Sequence, residues 1–184
     1  MGLDMYLEKK TYVKNWDHMS PEERTHITIK KGGKIVKTIN KKKISHIIEE
    51  IGYWRKANMV HKFFIDNCGG GDDNCSDMYV PSEALEDLLA RCNRIVKECK
   101  LVKGKIVNGQ TSTPEGWKDN MVDGEYIKNP EICKELLPNS EGFFFGSQAY
   151  DEWYYQDIKD TVEICKEAIE AIENGADIYY NASW

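Results

Sequence analysis

Apolar and polar positions alternate at the start of the chain. Leu3, Met5 and Leu7 fall on one side and Asp4, Tyr6 and Glu8 on the other, which predicts a half-buried strand over Gly2–Val13. Asn15–Glu23 carries Asp, Ser and Pro and reads as a loop. Two β-rich runs, Thr25–Lys30 and Lys34–Ile39, flank Gly32-Gly33, a favoured hairpin turn. From about Lys43 the period changes: Ile44, Ile47, Ile48, Ile51, Met59, Phe63 and Phe64 recur at helical spacing, predicting a first long helix to about Asp66. The glycine-rich stretch Asn67–Asp77 is a loop. Pro81-Ser82-Glu83 opens a second helix, with Leu85, Leu88, Leu89, Cys92, Ile95 and Val96 on its core side.

Leu101–Val107 reads as a short strand. Asn108–Pro130 has turn residues throughout and little periodicity, which marks an insertion or flexible flap. A short helical turn starts at Asn129-Pro130-Glu131 and ends near Leu137-Pro138. A third long helix is expected from about Gln148 to Asn174, with Tyr154, Ile158, Val162, Cys165, Ala168, Ile169 and Ile172 inward and Gly175 as its stop. Asp177–Trp184 closes the chain as a strand. Together these elements predict one α+β domain over residues 1–184: a small antiparallel sheet with three long helices packed on one face.

Composition narrows the class. The chain has 184 residues, of which 41% are hydrophobic and 30% charged, enough for a sizeable core and a well-solvated surface. No run approaches the roughly 20 apolar residues of a membrane span. The first residues match neither a secretory leader nor a transit peptide, so the expected location is cytoplasmic. Six cysteines without a secretory signal are expected to be free thiols. The net charge of −6 is unevenly spread: residues 1–66 hold 14 Lys/Arg against 8 Asp/Glu, and the remainder 11 against 23. Seven lysines and no acid lie between Lys30 and Lys43. A nucleic-acid contact there is outweighed by lysines solvating a hairpin edge, and the overall charge opposes nucleic-acid binding.

Two segments concentrate side chains capable of chemistry. In Tyr53–Lys62, on the expected first helix, Trp54, Asn58 and His61 are spaced to share a face, with Arg55, Lys56 and Lys62 beside it. A ring face, an amide, an imidazole and cations together suit a flat anionic ligand. The same residues also suit a structural use, with Trp54 in the core and Asn58 and His61 as satisfied polar neighbours. In Ser140–Tyr155, two glycines bracket Phe143–Phe145, and Ser147 stands where a helix would be capped. Free amides at that helix start would hold an anion, although Asp151 and Glu152 already complement the dipole. The phenylalanines suit scaffold, leaving Ser147, Tyr150 and Tyr154 as candidates. His61, Cys68 and Cys75 do not have zinc-site spacing, and the acids at Asp72, Asp73 and Asp77 depart from a calcium loop. No nucleotide loop, dinucleotide fingerprint, metalloprotease motif or nucleophile elbow is present, so no cofactor and no metal is expected.

Three blocks carry a resemblance: Met1-Gly2-Leu3-Asp4-Met5-Tyr6-Leu7; the run Glu50–Phe64 containing Gly52-Tyr53-Trp54-Arg55-Lys56-Ala57-Asn58; and Leu136-Leu137-Pro138 with Gly142–Ser147 and Tyr150-Asp151-Glu152-Trp153-Tyr154-Tyr155. With these the chain resembles a widespread family of small, uncharacterised bacteriophage and prophage proteins. The resemblance implies an infected bacterial cell as the setting. It also implies counter-defence or host takeover, by sequestering a small nucleotide-like or phosphorylated signal without turnover. In that reading Trp54 and Tyr150 stack on a base, Arg55, Lys56 and Lys62 meet phosphate, Asn58 and His61 set specificity, and Ser147 assists. A homo-oligomer is expected, since small α+β units deepen pockets at interfaces. Two rivals remain open: a metal-dependent nucleotide hydrolase or phosphodiesterase using His61, and an inhibitor that binds a host defence protein.

Overall fold

The computed structural model describes residues 2–142 and 146–184, so the expectation of a scaffold role for Phe143–Phe145 lies outside the described residues. In chain order the elements are β1 (Asp4–Tyr12), β2 (Lys30–Lys31), β3 (Lys34–Ile35), β4 (His46–Arg55), α1 (Asn58–Asn67), β5 (Met78–Tyr79), α2 (Ser82–Glu98), β6 (Leu101–Thr113), β7 (Gly116–Ile127), α3 (Glu131–Leu136), α4 (Glu152–Glu173) and β8 (Asp177–Ser183). The fold is α+β. Its main sheet runs in the order β4-β1-β8-β5, antiparallel throughout, so the first and last strands occupy the centre.

The period-2 pattern of β1 works as expected. Leu3, Met5 and Leu7 are fully buried, and so are Ile178 and Tyr180 on β8. They join one core with Phe64 of α1, Leu85, Leu88 and Ile95 of α2, and Ile158 and Cys165 of α4. The sheet's other face is open and lined by tyrosines: the rings of Tyr6 and Tyr53 lie 5.3 Å apart and those of Tyr79 and Tyr179 5.8 Å apart. No helix among the described residues is long and apolar enough to cross a membrane.

One correction changes the geometry of the expected site. Residues 46–55 form strand β4, not the first half of a helix; α1 begins only at Asn58. The isoleucines happen to fall at helical intervals, but the run His46–Arg55 is β-branched and aromatic, and β1 offers it a full pairing partner, with Met5 opposite Trp54 and Tyr6 opposite Tyr53. Ile47 and Ile48 are exposed, and only Gly52 and Trp54 of the strand are buried. Gly52 is where α4 closes on the sheet: a Cβ there would stand 2.5 Å from Ile164 Cγ2.

The segment Asn108–Pro130, read from the sequence as an insertion or flap, has strand structure for most of its length. Most of it is the outer half of a long two-stranded ribbon of β6 and β7, joined at its base to the start of α4 by a bridge between Tyr126 and Asp151. Both faces of that half are wet, so no alternation marks it. Its turn residues have local jobs, with Gly109 at φ +79° inside the register shift between Val107 and Gln110. The ribbon's base is anchored by buried Ile106 and Ile127 and by a bond from Ile127 N–H to the Tyr150 carbonyl. The Gly32-Gly33 hairpin forms, with both glycines left-handed, but its strands are only two residues each. Helix α4 starts four residues later than expected, capped by Asp151 and not by Ser147.

Candidate functional site

The residues proposed from the sequence do not share a helix face, because the strand-to-helix boundary runs between them. Trp54 points inward from β4; it is 3% exposed and its Nε1 donates to Thr161 Oγ1 at 2.9 Å. His61 is 1% exposed and sits between Tyr180 Oη, 2.7 Å from Nδ1, and Asp73 Oδ2, 3.1 Å from Nε2. It thereby ties the glycine-rich loop to the core. Lys62 pairs with Asp66 at 2.6 Å on the surface of α1. Tyr150 packs edge-on against Tyr154, and its hydroxyl accepts from Asn139 N–H at 3.3 Å.

Arg55, Lys56, Asn58 and Ser147 do come together, in a cleft of about 310 Å³ bounded by the end of β4, the start of α1, the Val107–Gly109 bulge and the first turns of α4. Such a volume is at the small end for ligand sites. Asn58 builds one wall. Its Oδ1 accepts from Ser140 N–H at 2.9 Å, its Nδ2 donates to the Ser147 carbonyl at 3.0 Å, and Ser140 Oγ donates to its backbone carbonyl. One buried amide therefore clamps two points of the loop that runs from α3 to α4. Ser147 Oγ accepts from Ala149 N–H at 3.0 Å.

The two cations owe their position to the chain reversal after β4. Lys56 has φ +64°, a left-handed conformation that costs a residue with a side chain roughly 1 kcal/mol or more. It is held there by its N–H bond to the Leu3 carbonyl at 2.8 Å. Its stem lies beside Gly146, where a Cβ would come within 3.0 Å of Lys56 Cβ. The Arg55 side chain is 65% exposed, with only a 3.9 Å approach to Asp4 Oδ1.

The opposite wall was missed in the sequence. Trp153 and Asp157 both line the cleft, and at i and i+4 they share a stripe of α4. Trp153 is 63% exposed, an aromatic platform with little packing of its own. Burial pushes the Asp157 carboxyl up to about 7, with the negative charges of Asp160 and Asp151 adding to the effect. Asp151 is 2% exposed. Its Oδ1 accepts from Trp153 N–H and Tyr154 N–H at 3.0 and 3.2 Å, while its buried Oδ2 has no partner among the described residues. Burial raises its carboxyl as well, against the pull of those two amides. The i, i+4 spacing was legible, but the start of the helix was misplaced, so its solvent-facing first turn went unread.

No family model, curated protein or solved structure matches the chain. The site is therefore judged by its own chemistry. Among the described residues no group of three or more His, Cys, Asp or Glu is arranged to hold a metal ion. A larger depression of about 570 Å³ lies among the loops around Trp16 and His26. Several of its polar groups are taken up locally: Arg24 bonds to the Met19 and Asp17 carbonyls, Asn15 to Thr25, and Trp16 Nε1 to Tyr12 Oη. The cleft beside α4 sets two cations, Arg55 and Lys56, the exposed Trp153 indole, and an Asp157 carboxyl with no ion-pair partner among the described residues around one depression.

Proposed function

We propose that the protein is a non-enzymatic capture protein that holds a small, phosphorylated, nucleotide-like molecule in the cleft between α1 and α4, acting in an infected bacterium to remove a defence signal. The observation that carries this reading is the convergence of Arg55 and Lys56, the bare Trp153 ring and Asp157 on one cleft. Guanidinium and ammonium suit a phosphate, an indole suits a base, and the acid suits a polar edge. Only half of the ligand set proposed from the sequence belongs to this reading. Arg55 and Lys56 keep the phosphate, Asn58 and Ser147 build the wall, and Trp153 takes the stacking role first given to Trp54.

A second reading rests on Asp157. A carboxyl that titrates near neutrality in a cleft is suited to general acid–base work, and would make the protein a hydrolase of the same ligand class. One experiment separates the two. The protein is incubated with extract from infected cells, repurified, heat-denatured, and the released small molecules are weighed by mass spectrometry. An intact phosphorylated ligand, absent from Arg55→Ala and Trp153→Ala preparations, supports capture. A released ligand of altered mass, with turnover abolished in Asp157→Asn, transfers the case to catalysis.

A further inference from the structure

We propose that the acid end of the cleft, Asp157 backed by Asp151, reads an amino group, so that the captured molecule is a mononucleotide whose base carries an exocyclic amine in place of an oxo group. The inference rests on the cleft being the ligand site. Among the described residues the Asp157 carboxylate makes no hydrogen bond and no ion pair; the Thr161 hydroxyl donates to its backbone carbonyl at 2.7 Å. The neighbouring charges of Asp160 and Asp151, both negative, act on it. Behind it, Asp151 is almost wholly buried and its Oδ2 is unpartnered. An ionised carboxylate only accepts hydrogen bonds. Leaving acceptors desolvated and unmet is costly. The group that relieves this wall is a donor.

Geometry selects the kind of donor. Residues four apart on a helix hold their Cβ atoms about 5–6 Å from each other, so a planar ring lying on Trp153 presents its edge to Asp157. A carboxylate at the edge of a base accepts from an amine, as acidic side chains do with the exocyclic amine of cytosine, and meets an oxo group lone pair to lone pair. The phosphate then extends toward Arg55 and Lys56 across a cleft of about 310 Å³, a volume on the scale of one nucleotide and not of a longer oligonucleotide. Adenine and cytosine nucleotides bring an exocyclic amine to the acid end; hypoxanthine and uracil nucleotides bring an oxo group there, with only a ring N–H beside it, and so meet that end less well.

The test is calorimetric titration of the full chain at about pH 8, where the raised carboxyl is ionised, with two matched pairs: AMP against IMP, and CMP against UMP. The expected result is tighter binding of the amino member of each pair by about tenfold or more. Asp157→Asn, which adds a donor at the same place, should bring the pair members within about twofold of each other without lowering thermal stability. Equal affinities within both pairs for the unaltered protein overturn the inference and leave the cleft as a general nucleotide site. Absence of binding by all four, with Arg55→Ala indistinguishable from the unaltered protein, overturns both the inference and the reading it rests on.

Discussion

Replacing Asp157 by Asn should stabilise the protein, and the gain should grow with pH. The carboxyl is raised from an ordinary 3.8 to about 7 by burial and by the neighbouring Asp160 and Asp151. In the unfolded chain the group ionises near its ordinary value. Between about pH 4 and 7 the native state therefore holds a proton that the unfolded state has released, and stability falls as pH rises through that window. Below it the contribution is fully present; above it the loss is complete and constant. At about 1.4 kcal/mol per pKa unit the ceiling is about 4 kcal/mol. Solvent still reaches this half-buried side chain from the cleft and screens it, so a realistic loss is about 1–2 kcal/mol. Asn has nearly the same shape and no charge, and it escapes the penalty. Urea unfolding of both proteins at several values between about pH 4 and 8 should give curves that meet at the acid end and separate toward neutrality. Asp160→Asn, which removes one of the two repelling charges, should give a smaller gain of the same sign. Parallel pH profiles, or an Asp157→Asn protein less stable at pH 8, would refute the placement of an unneutralised carboxylate in this wall.

Asn58→Ala should lower stability by about 2–4 kcal/mol, because it strands the Ser140 N–H and the Ser147 carbonyl; limited proteolysis between 139 and 148 should accelerate in parallel with the fall in urea midpoint. Lys56→Gly should act in opposite senses on fold and function, raising stability by up to about 1 kcal/mol by relieving the left-handed backbone while weakening phosphate binding in the titrations above. His61→Ala leaves Tyr180 Oη and a cavity behind in the core, so a loss of about 3 kcal/mol and faster hydrogen exchange in the 69–77 loop are expected. Any loss of activity in that variant would then track unfolding and not a missing acid or base. Iodoacetamide should label Cys75, which is exposed, far sooner than Cys133 and Cys165, each buried and pushed up to about 12 chiefly by burial; equal rates before unfolding would contradict the core assignment.

The sequence was readable where one period had one cause. In β1, α2 and β8 a single face meets the core, and the inward side chains fall where their alternation or helical spacing places them. It was misleading where two structures could share a pattern. The isoleucines of 44–51 repeat at helical intervals, yet Ile47 and Ile48 are exposed; what decides for a strand is a distant partner, β1, which local spacing does not contain. The ribbon escaped notice for the converse reason, since an arm wet on both sides needs no alternation.

The candidate site shows the same division on a finer scale. Arg55, Lys56, Asn58 and Ser147 were recognised and do meet, but through a chain reversal and a loop clamp, not through the helix face that suggested them. Trp54 and His61, chosen because their spacing with Asn58 would place them on one helix face, are core members whose polar atoms bond to Thr161, Tyr180 and Asp73. In the proposed site their places go to Trp153 and Asp157, which line the cleft because of where α4 begins. Once Asp151 is the cap, Trp153 lies in the first turn and Asp157 one turn on along the same stripe. Shifting the helix start from 148 to 152 thus turns Trp153 and Asp157 from one helical stripe among several into the wall opposite Arg55 and Lys56. That is why a cap, among the smallest features of the fold, decides how the cleft is read.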